Sequence, residues 1–226
     1  MESTLTHQLA EIRSRVVHAC ERVKRDPKSV SVLLASKTID PLRIRNAFNA
    51  GATLFGENKV QEFLEKYPSL TDLPIDWHFI GQLQSNKVKS ILPLVTLIHS
   101  LDRLSLAEEI QKQAEKQSIH VNVLIEVNSS GEINKGGIAP KDCAQFAQDL
   151  KRFDRIQVKG LMSVAIDGTP KQTRDCFRLT KLLLDEIRPF IAGDTLSMGM
   201  SNDFEVAIEE GSTLIRLGSS VFGKRS

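Results

Sequence analysis

Net charge is the first thing this chain lacks. Lys plus Arg number 30 against 28 for Asp plus Glu, a formal +2 over 226 residues. That balance gives no electrostatic reason to expect nucleic acid or an anionic membrane as partner. Long apolar runs are missing too. No stretch approaches the ~18 apolar residues of a membrane span, and the best candidate, 91–101, is broken by Pro93, Thr96, His99 and Ser100. The first fifteen residues mix acids, bases and amides, which excludes a secretory leader. Cysteine is scarce and scattered (Cys20, Cys143, Cys176), with no Cys-x-x-Cys pair. Such a set favours reduced thiols and a cytoplasmic setting. His7, His18 and His120 lack ligand spacing, and no His-Glu-x-x-His motif is present, so no metal is expected. The basic pair Lys224-Arg225 reads as a solvated tail.

What is present is alternation. Leu5, Leu9, Ile12, Val16 and Val23 recur at three- and four-residue spacing, which predicts an amphipathic helix ended by Asp26-Pro27. Short apolar runs follow at 32–36, 53–55, 77–80, 95–99, 121–127, 156–162, 195–197 and 213–217. Helical patterns lie between them at 42–50, 59–66, 86–92, 102–117, 140–150, 171–190 and 203–210, the last long one carrying Cys176, Leu179, Leu183, Ile187 and Phe190 as its buried stripe. Eight strands alternating with helices predict a (β/α)8 TIM barrel with an additional N-terminal helix, one domain over 1–226. An open doubly wound sheet is the alternative, weakened by the strand count and by the lack of a G-x-G-x-x-G turn after the first strand.

Chemistry collects at predicted strand ends. Lys37 closes the first apolar run, and in a barrel that end faces the active site. A lysine desolvated there loses part of its amine basicity and can attack a carbonyl to form a Schiff base. The plainer reading is a lysine that reaches solvent or pairs with an acid. The segments Leu196-Ser197-Met198-Gly199-Met200-Ser201-Asn202 and Leu217-Gly218-Ser219-Ser220 follow the seventh and eighth strands, where barrels commonly hold phosphate. Arg216 shares a strand face with Leu214, opposite Ile215 and Leu217. It either pairs with Glu57 or Glu126 or donates to a ligand. His78 and His99 read as hydrogen-bonded core histidines rather than proton shuttles, and Lys135, in Asn-Lys-Gly-Gly, as a turn residue in preference to an accessory cofactor contact. Lysine, phosphate cradle and arginine donor together suggest pyridoxal 5′-phosphate.

With these motifs in place the chain resembles the pyridoxal phosphate homeostasis protein family, single-domain relatives of the alanine racemase barrel. The matching segments are Ala35-Ser36-Lys37-Thr38, Phe55-Gly56-Glu57-Asn58-Lys59-Val60-Gln61-Glu62, Trp77 through Lys87, Asn134-Lys135-Gly136-Gly137-Ile138, Gly160-Leu161-Met162, Leu196 through Ser201, and Ile215-Arg216-Leu217-Gly218. The resemblance implies that Lys37 carries pyridoxal 5′-phosphate as a Schiff base and that Ser201, Gly218 and Ser219 bind its phosphate. It also implies that Arg216 meets the pyridine nitrogen, that Asn58 lies near the ring, and that Met200 or Met198 lines one ring face. Two departures stand out. Many members have a second lysine two places after the first, followed by proline, where this chain has Ile39 and Asp40. Ser219 replaces a common threonine and keeps its hydroxyl.

Three functional readings follow. A pyridoxal-phosphate amino-acid racemase needs an acid or base on each face of the cofactor, and in the related racemases a tyrosine from a second domain serves the second face. This chain's sole tyrosine is Tyr67, on a surface-type helix, and the sequence stops at Ser226, soon after the eighth strand. An arginine at the ring nitrogen, which stays protonated, also weakens the ring as an electron sink. A carrier that holds the cofactor, limits free aldehyde and delivers it to apoenzymes needs only the cradle, and this is the favoured expectation, as a monomer without efficient catalysis. An aldolase-like barrel, with Lys37 attacking a phosphorylated sugar, is the third.

Overall fold

The computed structural model describes residues 2–223; the Lys224-Arg225 tail lies outside them. After helix α1 (Glu2–Arg22) the strands β1 (Ser31–Ala35), β2 (Leu54–Glu57), β3 (Asp76–Phe79), β4 (Leu97–Leu101), β5 (Val121–Val127), β6 (Ile156–Ser163), β7 (Thr195–Ser197) and β8 (Leu214–Leu217) alternate with helices. All neighbours pair in parallel, and β8 pairs back onto β1 to close the barrel. This is the expected (β/α)8 architecture, N-terminal helix included. The open sheet is excluded by the β1–β8 ladder, in which Leu33 pairs Arg216 and Leu34 pairs Leu217.

The helices are α2 (Pro41–Asn49), α3 (Val60–Lys66), α4 (Val88–Ile91), α5 (Leu104–Gln117), α6 (Cys143–Leu150), α7 (Pro170–Ile187), α8 (Phe204–Glu209) and α9 (Ser219–Phe222). Local signals start several of them. Asp40 accepts the Arg43 N–H ahead of Pro41. Thr169 and Gln172 form a reciprocal capping box ahead of Pro170. Most boundaries moved by one to three residues, and two of the differences are instructive. The fourth strand begins at Leu97 rather than 95, because the Thr96 N–H bonds Trp77 O before the ladder takes hold. The expected helix over 86–92 is a 3-10 turn at Ser85–Lys87 followed by the single turn α4. The short α9 has no apolar period and escapes sequence reading.

Strand alternation divides the side chains. Ile98, Ile125, Leu161, Leu196, Ile215 and Leu217 point outward into the main apolar layer beneath the helices, where Cys143, Cys176, Leu183 and Ile187 also lie. A separate small cluster of Leu97, Leu124 and Met162 fills the bore. The bore also holds buried polar groups, Arg216, Ser197, His99, His78 and Glu126. Among the described residues, no helix is long and apolar enough to cross a membrane.

Candidate functional site

The C-terminal rim of the barrel collects the residues singled out above, in two corners and a floor. The first corner is the turn after β1. Ser36 O accepts the Ile39 N–H at 3.0 Å, so Lys37 and Thr38 are the central residues of a tight turn. Lys37 is half-buried there. Thr38 has φ +64°, a left-handed conformation that a β-branched residue rarely adopts and that costs of order 1–3 kcal/mol. Side chains from β2 and α3 hold this turn. Lys66, 8% exposed, donates to Ser36 O at 2.8 Å, to Glu57 Oε1 at 2.9 Å and to Glu62 Oε1 at 2.5 Å. Glu62 Oε1 also accepts the Thr38 N–H, and Ser36 Oγ donates to Glu57 Oε1 at 2.7 Å. Burial pushes the Glu57 carboxyl up, against the bonds from Ser36 and Lys66. Burial acts the same way on Glu62, but the Lys66 and Thr38 hydrogen bonds outweigh it and hold that carboxyl below its ordinary value.

Asn58 follows β2 at the same rim. Its Oδ1 is buried without a hydrogen-bond partner, an orphaned acceptor at the barrel mouth. A Cβ on Gly81 would come within 2.0 Å of Asn58 O, so the exit of β3 packs directly on the Asn58 backbone.

The second corner joins the ends of β7 and β8. Ser201 Oγ lies 3.0 Å from Ser220 Oγ and accepts the Ser220 N–H at 3.2 Å. Gly199 makes this turn possible with φ +94°, and a Cβ there would meet the Ala207 Cβ at 2.5 Å. Gly218 and Ser219 start α9, and the protein atoms nearest to a Cβ on Gly218 would be Ala35 O and Cβ, 3.5 and 3.6 Å away. Lys37 and Ser220 each stand three residues beyond the paired Leu34 and Leu217, so both corners sit on adjacent strands at one rim. Met200 is 40% exposed beside Ser201, whereas Met198 is wholly buried in the outer apolar layer. That favours Met200 for a ring face.

Arg216 forms the floor. Its pairing with Glu57 or Glu126 is not what the structure contains. Nη1 donates to Ser197 O and Oγ, both at 2.6 Å, and Nη2 donates to Ser163 O at 2.9 Å. Glu57 is taken by Lys66, and Glu126 accepts from Gln82 Nε2. The strand carbonyls at the end of the bore lie nearer than either acid, which is why the guanidinium bonds them. Three of its five N–H donors are thereby used, leaving donors for a ligand acceptor. Burial lowers Arg216 to about 10 against the raising influence of Asp203 and Glu126, so it remains a cation at neutral pH.

Below it a buried chain runs from Ser197 Oγ to His99 Nδ1 (2.9 Å) and from His99 Nε2 to His78 Nδ1 (2.9 Å). Both histidines are the hydrogen-bonded core residues expected. Burial lowers His78 to about 4 and His99 well below its ordinary value. Burial and the Asp102 charge lift Glu126 to about 7, with Gln82 and Arg216 opposing. Lys135 is more than a turn residue, since its Nζ bonds Ala165 O at 2.9 Å and pairs with Glu132. Sequence reasoning missed the Glu57–Glu62–Lys66 cluster. Glu62 and Lys66 carry the spacing of an ordinary surface pair on a helix, and nothing local says that they face inward. Among the described residues, no group of three His, Cys, Asp or Glu side chains could hold a metal.

The alanine racemase N-terminal domain model matches residues 3–226. The pyridoxal phosphate homeostasis protein of Aquifex aeolicus is 47% identical over 221 residues, covering 96% of this chain and 97% of the relative. The chain belongs to the pyridoxal phosphate homeostasis protein family. A protein of that name from Pseudomonas aeruginosa is 40% identical over 225 residues, covering 99% of this chain and 96% of its own. PipY of Synechococcus elongatus, solved with pyridoxal phosphate bound, is 33% identical with a TM-score of 0.85, covering 97% of this chain and 100% of PipY. Alanine racemase of Clostridium difficile is 10% identical with a TM-score of 0.77. It covers 99% of this chain but 57% of the racemase, a likeness of fold alone.

Proposed function

We propose that this protein binds pyridoxal 5′-phosphate and serves in intracellular vitamin B6 homeostasis, holding the cofactor on Lys37 and delivering it to apoenzymes. The observation that carries this reading is the sharing of one rim by Lys37, the hydroxyl-lined corner of Ser201, Gly218 and Ser219, and the buried cation Arg216. An anion, an electron-rich ring nitrogen and an aldehyde are the three features that such a set accommodates. The orphaned Asn58 Oδ1 is a further acceptor for a ring substituent. The bound form of the family's cofactor in PipY supports the same assignment.

When bound, the cofactor would supply an aldehyde carbon to the Lys37 amine. The chain's own residues do the rest. Ser201, Gly218 and Ser219 offer hydroxyl and backbone donors to the phosphate, Met200 covers a ring face, and Arg216 donates to the ring nitrogen without surrendering its proton. Electron withdrawal by the ring therefore stays weak, as suits holding rather than turnover. Racemisation is the less supported alternative. Tyr67 lies edge-on against Phe63 in the outer layer, ring centroids 5.4 Å apart. The proposed form is a cytoplasmic monomer, a single domain over 1–226 that is not an efficient enzyme.

The test is a visible spectrum with borohydride trapping. Addition of pyridoxal 5′-phosphate should produce a new visible band, and reduction should leave one pyridoxyl group, on Lys37. Capture of a phosphorylated sugar instead would support an aldolase, and rapid alanine racemisation by the pure chain would overturn the carrier.

A further inference from the structure

We propose that Glu62 and Lys66 are positioning residues for Lys37, forming a strap that holds the turn at Ser36–Ile39 in its left-handed conformation. The inference rests on the reading that Lys37 carries the cofactor. Lys37 has a residue of this cluster's contacts on each side of it. Its predecessor, Ser36, is bonded through its carbonyl by Lys66 and through its hydroxyl by Glu57. Its successor, Thr38, is bonded through its N–H by Glu62. Lys66 closes the loop by bonding both carboxylates. Two side chains of α3 thus grip the backbone on either side of Lys37, and Glu57 joins them through the Ser36 hydroxyl and the Lys66 ammonium.

The backbone conformation explains why a strap is needed. Thr38 would be glycine or asparagine if local energetics alone chose the residue. A β-branched residue at φ +64° persists only when its surroundings over-determine it. Released, the turn would relax toward negative φ, and the Lys37 side chain would swing with it, away from the hydroxyl corner on β7 and β8. The charged pair also removes a competitor. The Lys66 ammonium is engaged by two carboxylates and a carbonyl, so the second lysine of this corner is committed to the strap and not offered to an aldehyde. The attachment step itself is a condensation: the Lys37 amine and the aldehyde form a C=N bond and release one water.

The experiment compares wild type, Glu62→Ala, Thr38→Gly and the double variant. Lys66→Met is avoided because it leaves Glu57 and Glu62 without their cation and can fail to fold. Two quantities are read: the rate of borohydride-trappable attachment at Lys37, and the affinity for pyridoxine 5′-phosphate, which has the ring and phosphate but no aldehyde. Glu62→Ala, which removes the acceptor of the Thr38 N–H, should slow attachment at least about tenfold, the strain no longer being held, with pyridoxine 5′-phosphate affinity unchanged. Thr38→Gly in the same chain should restore most of the rate, since glycine keeps a positive φ without help. Attachment at the wild-type rate in Glu62→Ala, a loss of pyridoxine 5′-phosphate affinity parallel to the loss of rate, or no rescue by glycine would each overturn the strap. No pyridoxyl group on Lys37 in wild type would instead remove the cofactor reading beneath it.

Discussion

The two corners of the rim are built from opposite materials. Around Lys37 the backbone is held by full charges, two carboxylates and an ammonium, and carries a strained residue. At the ends of β7 and β8 the two loops are tied to each other by neutral groups, hydroxyl to hydroxyl and hydroxyl to backbone N–H, with a glycine where the backbone turns left-handed, while Asp203 accepts the Met200 N–H within the loop after β7. On the proposed function a carboxylate directly beside the phosphate would repel it, which the hydroxyls and backbone N–H groups that join the two loops do not. An amine needs direction more than charge complementarity, so its corner tolerates acids provided a buried cation balances them. Each corner suits one end of a single ligand.

That contrast can be broken at either end. Lys37→Ala has the largest expected effect. Borohydride trapping should fall to nothing, while pyridoxine 5′-phosphate still binds with an affinity near that of wild type, measured by equilibrium dialysis. Equal loss of both would mean that the corners are not separable. Ser201→Asp is the reverse experiment. A carboxylate in place of the Ser201 hydroxyl should weaken phosphate-ester binding about 100-fold or more, read by the same dialysis. Unchanged affinity would place the phosphate elsewhere.

The floor between the corners gives a smaller effect that depends on pH. His78 is held neutral down to about 4, so as pH falls from 6.5 the unfolded chain takes up a proton that the native state refuses. Stability is lost over that window, by roughly 3 kcal/mol for such a shift. Glu126 has the opposite slope. The unfolded carboxyl releases its proton near 4.5 and the native one near 7, so stability falls as pH rises through that range. The two slopes oppose between about 4.5 and 6.5. Glu126→Gln should therefore add about 1–3 kcal/mol at pH 8 and expose the histidine slope, and His78→Gln should expose the other. Denaturant melts at several pH values measure both, and parallel curves for the two variants would contradict the assignment.

The β1–β2 corner also marks where local sequence stops being informative. All eight strands and seven of the following helices were legible because strand runs and helical stripes repeat with their own periods, while α9 was not, being one turn long. Lys37, Ser201, Gly218 and Ser219 were legible as strand-end chemistry, and the structure brings them to one rim. The partners of Arg216 were not, because strand carbonyls across a barrel carry no side-chain signature. Nor was Lys66, whose spacing from Glu62 is that of any exposed helical pair.

Sequence by itself determined the alternation of strand and helix, the amine at the first strand end and the glycine-serine turns at the last two, because periodicity and turn chemistry are local properties. Only barrel closure decided that the first strand lies beside the eighth, that Arg216 bonds strand carbonyls rather than an acid, and that Glu62 and Lys66, with Glu57 behind them, bond the backbone on either side of Lys37. Those are contacts between segments distant in the chain, and the energy that selects them exists only once the ring of strands has closed and excluded water from its mouth.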